Sequence, residues 1–326
     1  MSLTGDKHAV AVHTGGPPHY RTHTRARRIG YRILPGESFS YLLHLRPREW
    51  PIMAAHTAVG FALAVGIGPA VGDSWRVRLA TALGLWVVCL NGGTLAINSA
   101  FDRDAGDVGY LDAPPPVPRG LLWFGLGLMV VGQLGALLLP RAYAIAYAMC
   151  FALSVLYSVP PFRFKAVAGM DWIINMIGFG TLTPYAGWAA TGTPVGPVPA
   201  LVLFAFCPLF AGLYPLTQLY QFDEDRARGD RTLALMIGMR ASLSVAVVAS
   251  GAAFACFAVA ATLARVPVGR AVPLIVAGAL WLGILGRWSA RCDQMTTPQH
   301  KRGMYAALGA WGVTDVAVLI AFAPGL

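Results

Sequence analysis

Nine runs of apolar residues, each about twenty long, divide this chain of 326 residues. That is the length an α-helix needs to cross the hydrocarbon of a bilayer. The runs lie at roughly 51–70, 77–100, 120–139, 142–159, 171–190, 199–220, 241–264, 271–290 and 303–324. The joints carry helix-breaking residues, among them Gly72, Pro140, the Pro160-Pro161 pair, Gly192, Gly229 and Pro298. Backbone in lipid has no water to bond, so each run is expected to be α-helical. Only 12% of the residues are charged and 56% are hydrophobic. A soluble domain is about 25% charged. These features exclude a soluble enzyme, a disordered chain and a disulfide scaffold. The lack of short period-two alternation argues against a membrane β-barrel. The expected fold class is all-α, a polytopic membrane bundle of nine transmembrane helices.

The formal net charge is +10. The basic residues sit at the ends of the apolar runs, so the partner they imply is anionic lipid and not nucleic acid. Nine spans put the termini on opposite sides. With the N-terminus inside, 20 Lys and Arg fall on cytoplasmic segments and 5 on outer ones, a strong positive-inside bias. The expectation is an integral protein of the cytoplasmic membrane with its N-terminus inside. Residues 1–40 read as a basic, flexible arm that orients the chain and tethers it to lipid, with five arginines between 21 and 32. Residues 41–326 read as the bundle. The segment 41–50 reads as an interfacial lead-in, with Trp50 at headgroup depth and Arg46 and Arg48 in the polar layer. No apolar stretch of signal-peptide length precedes it. The five cysteines show no CxxC or Cys/His spacing, so neither disulfides nor zinc are expected.

Eight of the fifteen acids lie in two loops on the expected cytoplasmic face. Asp102, Asp104, Asp107 and Asp112 follow the second run; Asp223, Glu224, Asp225 and Asp230 follow the sixth. Acid at a helix C-terminus opposes the helix dipole, so ordinary helix-end loops explain the clusters poorly. A divalent cation explains them better. Asn98 and Asp102 are four apart and share a helix face, as do Gln218, Gln221 and Asp225 at i, i+3 and i+7. Each helix thus brings an amide and a carboxylate to the membrane boundary. Mg²⁺ favours a few carboxylates plus substrate phosphate oxygens, so the two ends facing each other would hold Mg²⁺ against a diphosphate. The loop between the fourth and fifth runs, 157–165, reads on its own as one more positive-inside loop or, beside the acidic clusters, as a supply of cations to the site. Arg163 is suited to bidentate phosphate contact, and Lys165 acts as a point charge.

In this order the residues resemble the UbiA superfamily of intramembrane prenyltransferases. The family's NxxxDxxxD motif corresponds to Asn98, Asp102 and Gly106, followed by PVPRG at 116–120. Its YSxPPxRxK loop corresponds to Tyr157 through Lys165, and its second acidic motif to Gln221 through Thr232. The resemblance spans roughly 41–324, and nine helices is the family's number. Three positions depart: Gly106 replaces the third acid, Pro115 the Arg before the PxPxG stretch, and Gln221 the leading Asp of the second motif. Asp104 and Asp107, or Asp223, would then supply the missing carboxylates.

The resemblance implies Mg²⁺ held by Asp102, Asp107, Asp225 and Asp223, binding an isoprenyl diphosphate at a cytoplasmic-side mouth. Arg163 and Lys165 would neutralise the leaving group. Tyr157 and Tyr220 face a developing cation through their rings, with Trp172 a further candidate. Asp171 reads either as an N-cap or as a substrate contact, and Asn175, one turn on, as cavity lining. Asp315, mid-way along the ninth run, reads either as functional or as protonated and bonded to a neighbouring helix; His56 reads as a packed, bonded imidazole, and Gln133 as helix glue. The expected activity is transfer of the isoprenyl chain to an aromatic or other lipophilic acceptor. Alternatives are a terpene cyclase using the same diphosphate alone, a transporter, and a lipid-binding relic. The acids lie at one face instead of the midplane, which disfavours the transporter.

Overall fold

The computed structural model describes residues 18–67, 72–102 and 106–325, without the side chains of Glu224 and Arg228. Asp104 lies outside the described residues. The chain is an all-α polytopic membrane protein. Each of the nine apolar runs coincides with a helix or a continuous helical stretch among the described residues. Six of these are long and apolar enough to cross a bilayer: Asp73–Asp102, Arg141–Ser158, Pro197–Gln218, Leu233–Leu263, Val268–Gln294 and Thr297–Phe322.

The N-terminal part contains α1 (His19–Thr22), α2 (Arg25–Ile33) and α3 (Ser38–His44). From residue 18 the arm is thus largely helical. Thr24 caps α2 by accepting from the Arg27 N–H. Next come α4 (Trp50–Val65), which ends where Gly66 takes a positive φ, and the stretch α5 (Asp73–Leu83), a π-helix (Gly84–Gly92) and α6 (Gly93–Asp102). α7 (Leu121–Ala136) and α8 (Arg141–Ser158) are tied by Gln133 Nε2 donating to the Ala144 carbonyl. α9 (Met170–Asn175), a second π segment (Met176–Leu182) and α10 (Thr183–Thr191) form one helical run. α11 (Pro197–Gln218) is followed by the short α12 (Phe222–Arg228). α13 (Leu233–Leu263) breaks at Gly238, whose φ of 83° is open to glycine at little cost. α14 (Val268–Arg291) and α15 (Thr297–Phe322) close the bundle. α15 starts earlier than the apolar pattern because Thr296 and Gln299 form a capping box.

Among the described residues, the two larger apolar cores hold most of the helices. One joins α11, α13, α14 and α15 around Leu209, Phe257, Trp281 and Val318. The other joins the first π segment, α7, α8 and α10 around Trp86, Met129, Tyr143 and Tyr147. α4 feeds both, with Val59 and Leu63 in the first and Met53 and Phe61 in the second. It meets α10 at backbone distance: a Cβ on Gly60 would lie 1.6 Å from the Pro184 carbonyl oxygen, and one on Gly187 1.8 Å from that of Thr57. Small residues permit such close helix contact in membranes. His56 Nδ1 and Asp315 Oδ1, 2.9 Å apart, link α4 to α15. The pairing itself was not legible in the sequence. Both cores border one cavity of about 320 Å³, which His56 also lines.

Candidate active site

Asn98 and Asp102 project from the last turn of α6, and Gln221 and Asp225 from the start of α12; all four line this cavity. Gln218 lines it too. The expected single helix face for Gln218, Gln221 and Asp225 is built differently. α11 stops at Gln218, and a turn at 219–221 restarts the chain as α12. The turn preserves the convergence although the helix breaks.

Lys165, on a short 3₁₀ turn, lines the same cavity. Its Nζ donates to Asn98 Oδ1 at 2.7 Å and forms an ion pair with Asp102. Both charged side chains are under a tenth exposed. Arg163 spans the clusters, 3.4 Å from Asp102 and 2.8 Å from Asp230. It lies beside the cavity and outside its lining. The Arg231 N–H donates to the Ala166 carbonyl at 3.2 Å, which pins the cationic loop to the second motif. Tyr157, Asn175 and Tyr220 line the cavity. The Tyr157 and Tyr214 hydroxyls are 2.9 Å apart, and Gln218 Nε2 donates to Tyr214 at 3.1 Å. Gln221 Nε2 donates to the Tyr220 hydroxyl at 2.9 Å.

Other expected residues stand elsewhere. Asp107 lies in an exposed loop, accepting from the Ala113 N–H at 2.9 Å and pairing with Lys301 at 3.5 Å. α6 ends at Asp102, so the helical spacing that would carry Asp107 inward is lost. Asp223 is 92% exposed and pairs with Arg226. Two residues on a helix are about 200° apart, so Asp225 facing in turns Asp223 out. Asp171 is fully buried and does not line the cavity. Its carboxyl accepts from the N–H groups of Gly169 (2.9 Å) and Leu233 (3.0 Å) and from Gln218 Nε2 (3.2 Å), which joins the starts of α9 and α13. Trp172 donates to the Ala211 carbonyl at 2.7 Å and is also absent from the lining.

The cavity also presents residues that sequence reasoning passed over. Arg46, assigned to the headgroup layer, is buried with φ 50° and lines the cavity. Glu49, at the N-cap of α4, and Asn91, in the first π segment, line it as well. Burial raises the Glu49 carboxyl to about 7, against the Arg46 guanidinium and the Asn91 amide, which favour its charged form. Tyr110 packs near it, and burial, then Glu49, push its hydroxyl above the ordinary range. A lone amide within an apolar run was the available signal for Asn91.

The donors at the mouth are carboxylate and amide oxygens, the hard ligands that suit Mg²⁺. Among the described residues no three His, Cys, Asp or Glu side chains converge into a closed metal cage. A site completed by phosphate oxygens does not need one. Deeper in, Leu90, Leu153, Phe179, Phe210 and Trp311 make an apolar floor.

The model of the UbiA prenyltransferase family matches residues 53–309. A lycopene elongase/hydratase of Haloferax volcanii is 30% identical over 215 residues, 63% of this chain and 67% of that protein. A digeranylgeranylglyceryl phosphate synthase of Natronomonas pharaonis is 34% identical over 194 residues, 58% of this chain and 68% of that one. A solved UbiA homolog from Archaeoglobus fulgidus, bound to DMAPP and Mg²⁺, superposes with a TM-score of 0.61 at 19% identity, covering 85% of this chain and 99% of that one. That likeness is one of fold.

Proposed function

From the premise that the chain belongs to the UbiA prenyltransferase family, we propose that it transfers an isoprenyl chain from a prenyl diphosphate to an aromatic or other lipophilic acceptor, with Mg²⁺ as cofactor. The observation that carries this is the shared cavity. Asp102 and Asp225 come from motifs far apart in sequence and line one chamber together with Lys165, which pairs with Asp102, and a set of apolar side chains.

Bound Mg²⁺ supplies positive charge that neutralises the diphosphate as the allylic C–O bond breaks. Asn98 and Asp102 on one wall, and Gln221 and Asp225 on the other, would hold it. Lys165 and Arg163 keep the carboxylates neutralised before substrate arrives. With the diphosphate in place, the same two cations donate to its oxygens and stabilise the leaving group. Tyr157 and Tyr220 line the same chamber. Leu153, Phe179, Phe210 and Trp311 receive the isoprenoid tail and keep water from the allylic centre. The acceptor then forms the new bond to that carbon and loses a proton, which the released diphosphate takes up. The names of the two curated relatives support a lipophilic acceptor.

The bundle is proposed to cross the cytoplasmic membrane nine times, with the N-terminus and the cavity mouth inside. The excess of Lys and Arg on those segments supports this orientation.

The test is incubation of purified protein with labelled geranyl-type diphosphates, with and without Mg²⁺, followed by analysis of the organic phase. Transfer predicts Mg²⁺-dependent diphosphate release that rises with acceptor. A hydrocarbon or alcohol formed without acceptor would replace transferase by cyclase. No Mg²⁺-dependent consumption of any prenyl diphosphate would refute the function.

A further inference from the structure

The N-terminal helix α2 has two faces with different work to do. On the inner face, Arg27 is buried, and its guanidinium donates to the carbonyls of Asp112 (2.5 Å) and Ala113 (2.7 Å). Those carbonyls end the loop at 106–113, whose Val108, Gly109 and Tyr110 line the cavity mouth. The same loop is held by Arg48 on Asp112 at 2.7 Å and by Lys301 on Asp107 and Asp112, each at 3.5 Å. Arg27 therefore straps the arm to a loop that lines the cavity, beside Tyr31, which packs on the cluster of Leu43, Val108 and Leu111.

On the outer face of α2, Arg25, Arg28, Arg32, Ile29 and Ile33 are exposed. At 100° per residue the three arginines fill one sector and the two isoleucines the adjacent one. Ile33 is 70% exposed and Ile29 46%. A cationic sector beside an apolar one is the pattern of a helix lying in the interface, with arginines on lipid phosphates and isoleucines in the acyl boundary. The strap to the mouth loop puts α2 at the mouth end of the bundle. No acid lies within α2 to satisfy these arginines in cis.

We propose that α2 docks on anionic lipid headgroups through Arg25, Arg28 and Arg32, with Ile29 and Ile33 inserted, and that docking steadies the 106–113 loop over the cavity mouth through Arg27. Lipid charge is thereby linked to closure of the site. The docking stands by itself; its effect on turnover rests on the function proposed above.

The full chain would be placed in nanodiscs of pure phosphatidylcholine, or of phosphatidylcholine mixed with phosphatidylglycerol, and amide hydrogen exchange followed by mass spectrometry. Each arginine near an anionic surface is worth about fivefold in the docking constant. Exchange over 25–34 should slow with phosphatidylglycerol, by up to about a hundredfold, and the protection should fall with added salt. The triple variant Arg25→Gln, Arg28→Gln, Arg32→Gln should lose the difference between lipids. Arg27→Gln should keep protection over 25–34 and lose it over 106–113. Equal exchange over 25–34 in the two lipids would overturn the proposal and leave the face to an acidic protein partner. A triple variant that keeps the full difference, or a loop indifferent to Arg27→Gln, would also overturn it. Mg²⁺-dependent consumption of geranylgeranyl diphosphate, measured in the same discs, should be higher with phosphatidylglycerol in the native chain. Consumption in neither lipid would tell against the enzymatic function, while the exchange pattern would still judge the arm.

Discussion

Replacing Asp171 by alanine should cost the protein stability and leave its affinity for diphosphate intact. The side chain is fully buried, and three donors converge on it: the Gly169 and Leu233 N–H groups and Gln218 Nε2. Gly169 is partly exposed and can turn to water. Gln218 is buried, and Leu233 lies where α13 begins. A buried donor stripped of its acceptor costs about 1–3 kcal/mol, so two such donors give a loss of about 2–6 kcal/mol, toward the lower end because Leu233 is only half-buried. Asp171→Asn keeps one oxygen and should lose about half as much. Unfolding can be followed with a thiol-reactive dye, because Cys150, Cys207 and Cys292 are buried and react when the bundle opens. The expected result is a lower midpoint for Asp171→Ala, an intermediate one for Asp171→Asn, and a KM for prenyl diphosphate near that of the native chain in the folded fraction. An unchanged midpoint with a raised KM would refute this and return Asp171 to the substrate site.

Glu49 sets a pH dependence. Its folded pKa of about 7 lies above the ordinary 4.5, so the folded state holds the proton between those values and the unfolded state does not. Its stabilising contribution is complete below the ordinary value and is lost as pH rises toward 7, about 3 kcal/mol at most; Glu49→Gln should flatten that part of the profile and melt higher than the native chain above pH 7. Gly60→Ala should lower the yield of folded protein, since its Cβ meets the Pro184 backbone, whereas Gly127→Ala, which meets nothing within 4 Å, should express normally; equal yields would contradict the close packing of α4 on α10. Lys165→Met leaves the buried Asp102 carboxylate with Arg163 as its remaining described ion-pair partner, a loss of about 3 kcal/mol. Added Mg²⁺ should therefore raise the melting temperature of this variant more than that of the native chain, and an equal or smaller rise would count against metal binding at Asp102.

The helices were legible because bilayer thickness imposes a length on apolar runs that no soluble fold requires. The run expected at 142–159 is the helix Arg141–Ser158 almost residue for residue. Errors came where local chemistry overrode hydropathy: Gly66 ends α4 early, and Thr296 with Gln299 starts α15 early. Helix spacing pointed to Asn98, Asp102, Gln221 and Asp225, and the basic loop to Lys165; the five line one cavity because each falls on a helix end or a loop tied to one. Asp107 and Asp223 stand outside the cavity lining, and an acid count in a loop does not say which acids turn inward. Arg46, Glu49 and Asn91 were missed because their partners come from other elements, and no periodicity announces a contact between α4 and a π segment.

The most direct measurement is an experimental structure with Mn²⁺ in place of Mg²⁺ and a non-cleavable geranyl thiolodiphosphate, with the metal located by anomalous scattering. The metal and the diphosphate should lie between Asp102 and Asp225, with Lys165 swung from Asp102 onto phosphate oxygens and the geranyl tail toward Phe210 and Trp311. A metal bound elsewhere, or a diphosphate that leaves the ion pair of Lys165 and Asp102 untouched, would contradict the proposed site.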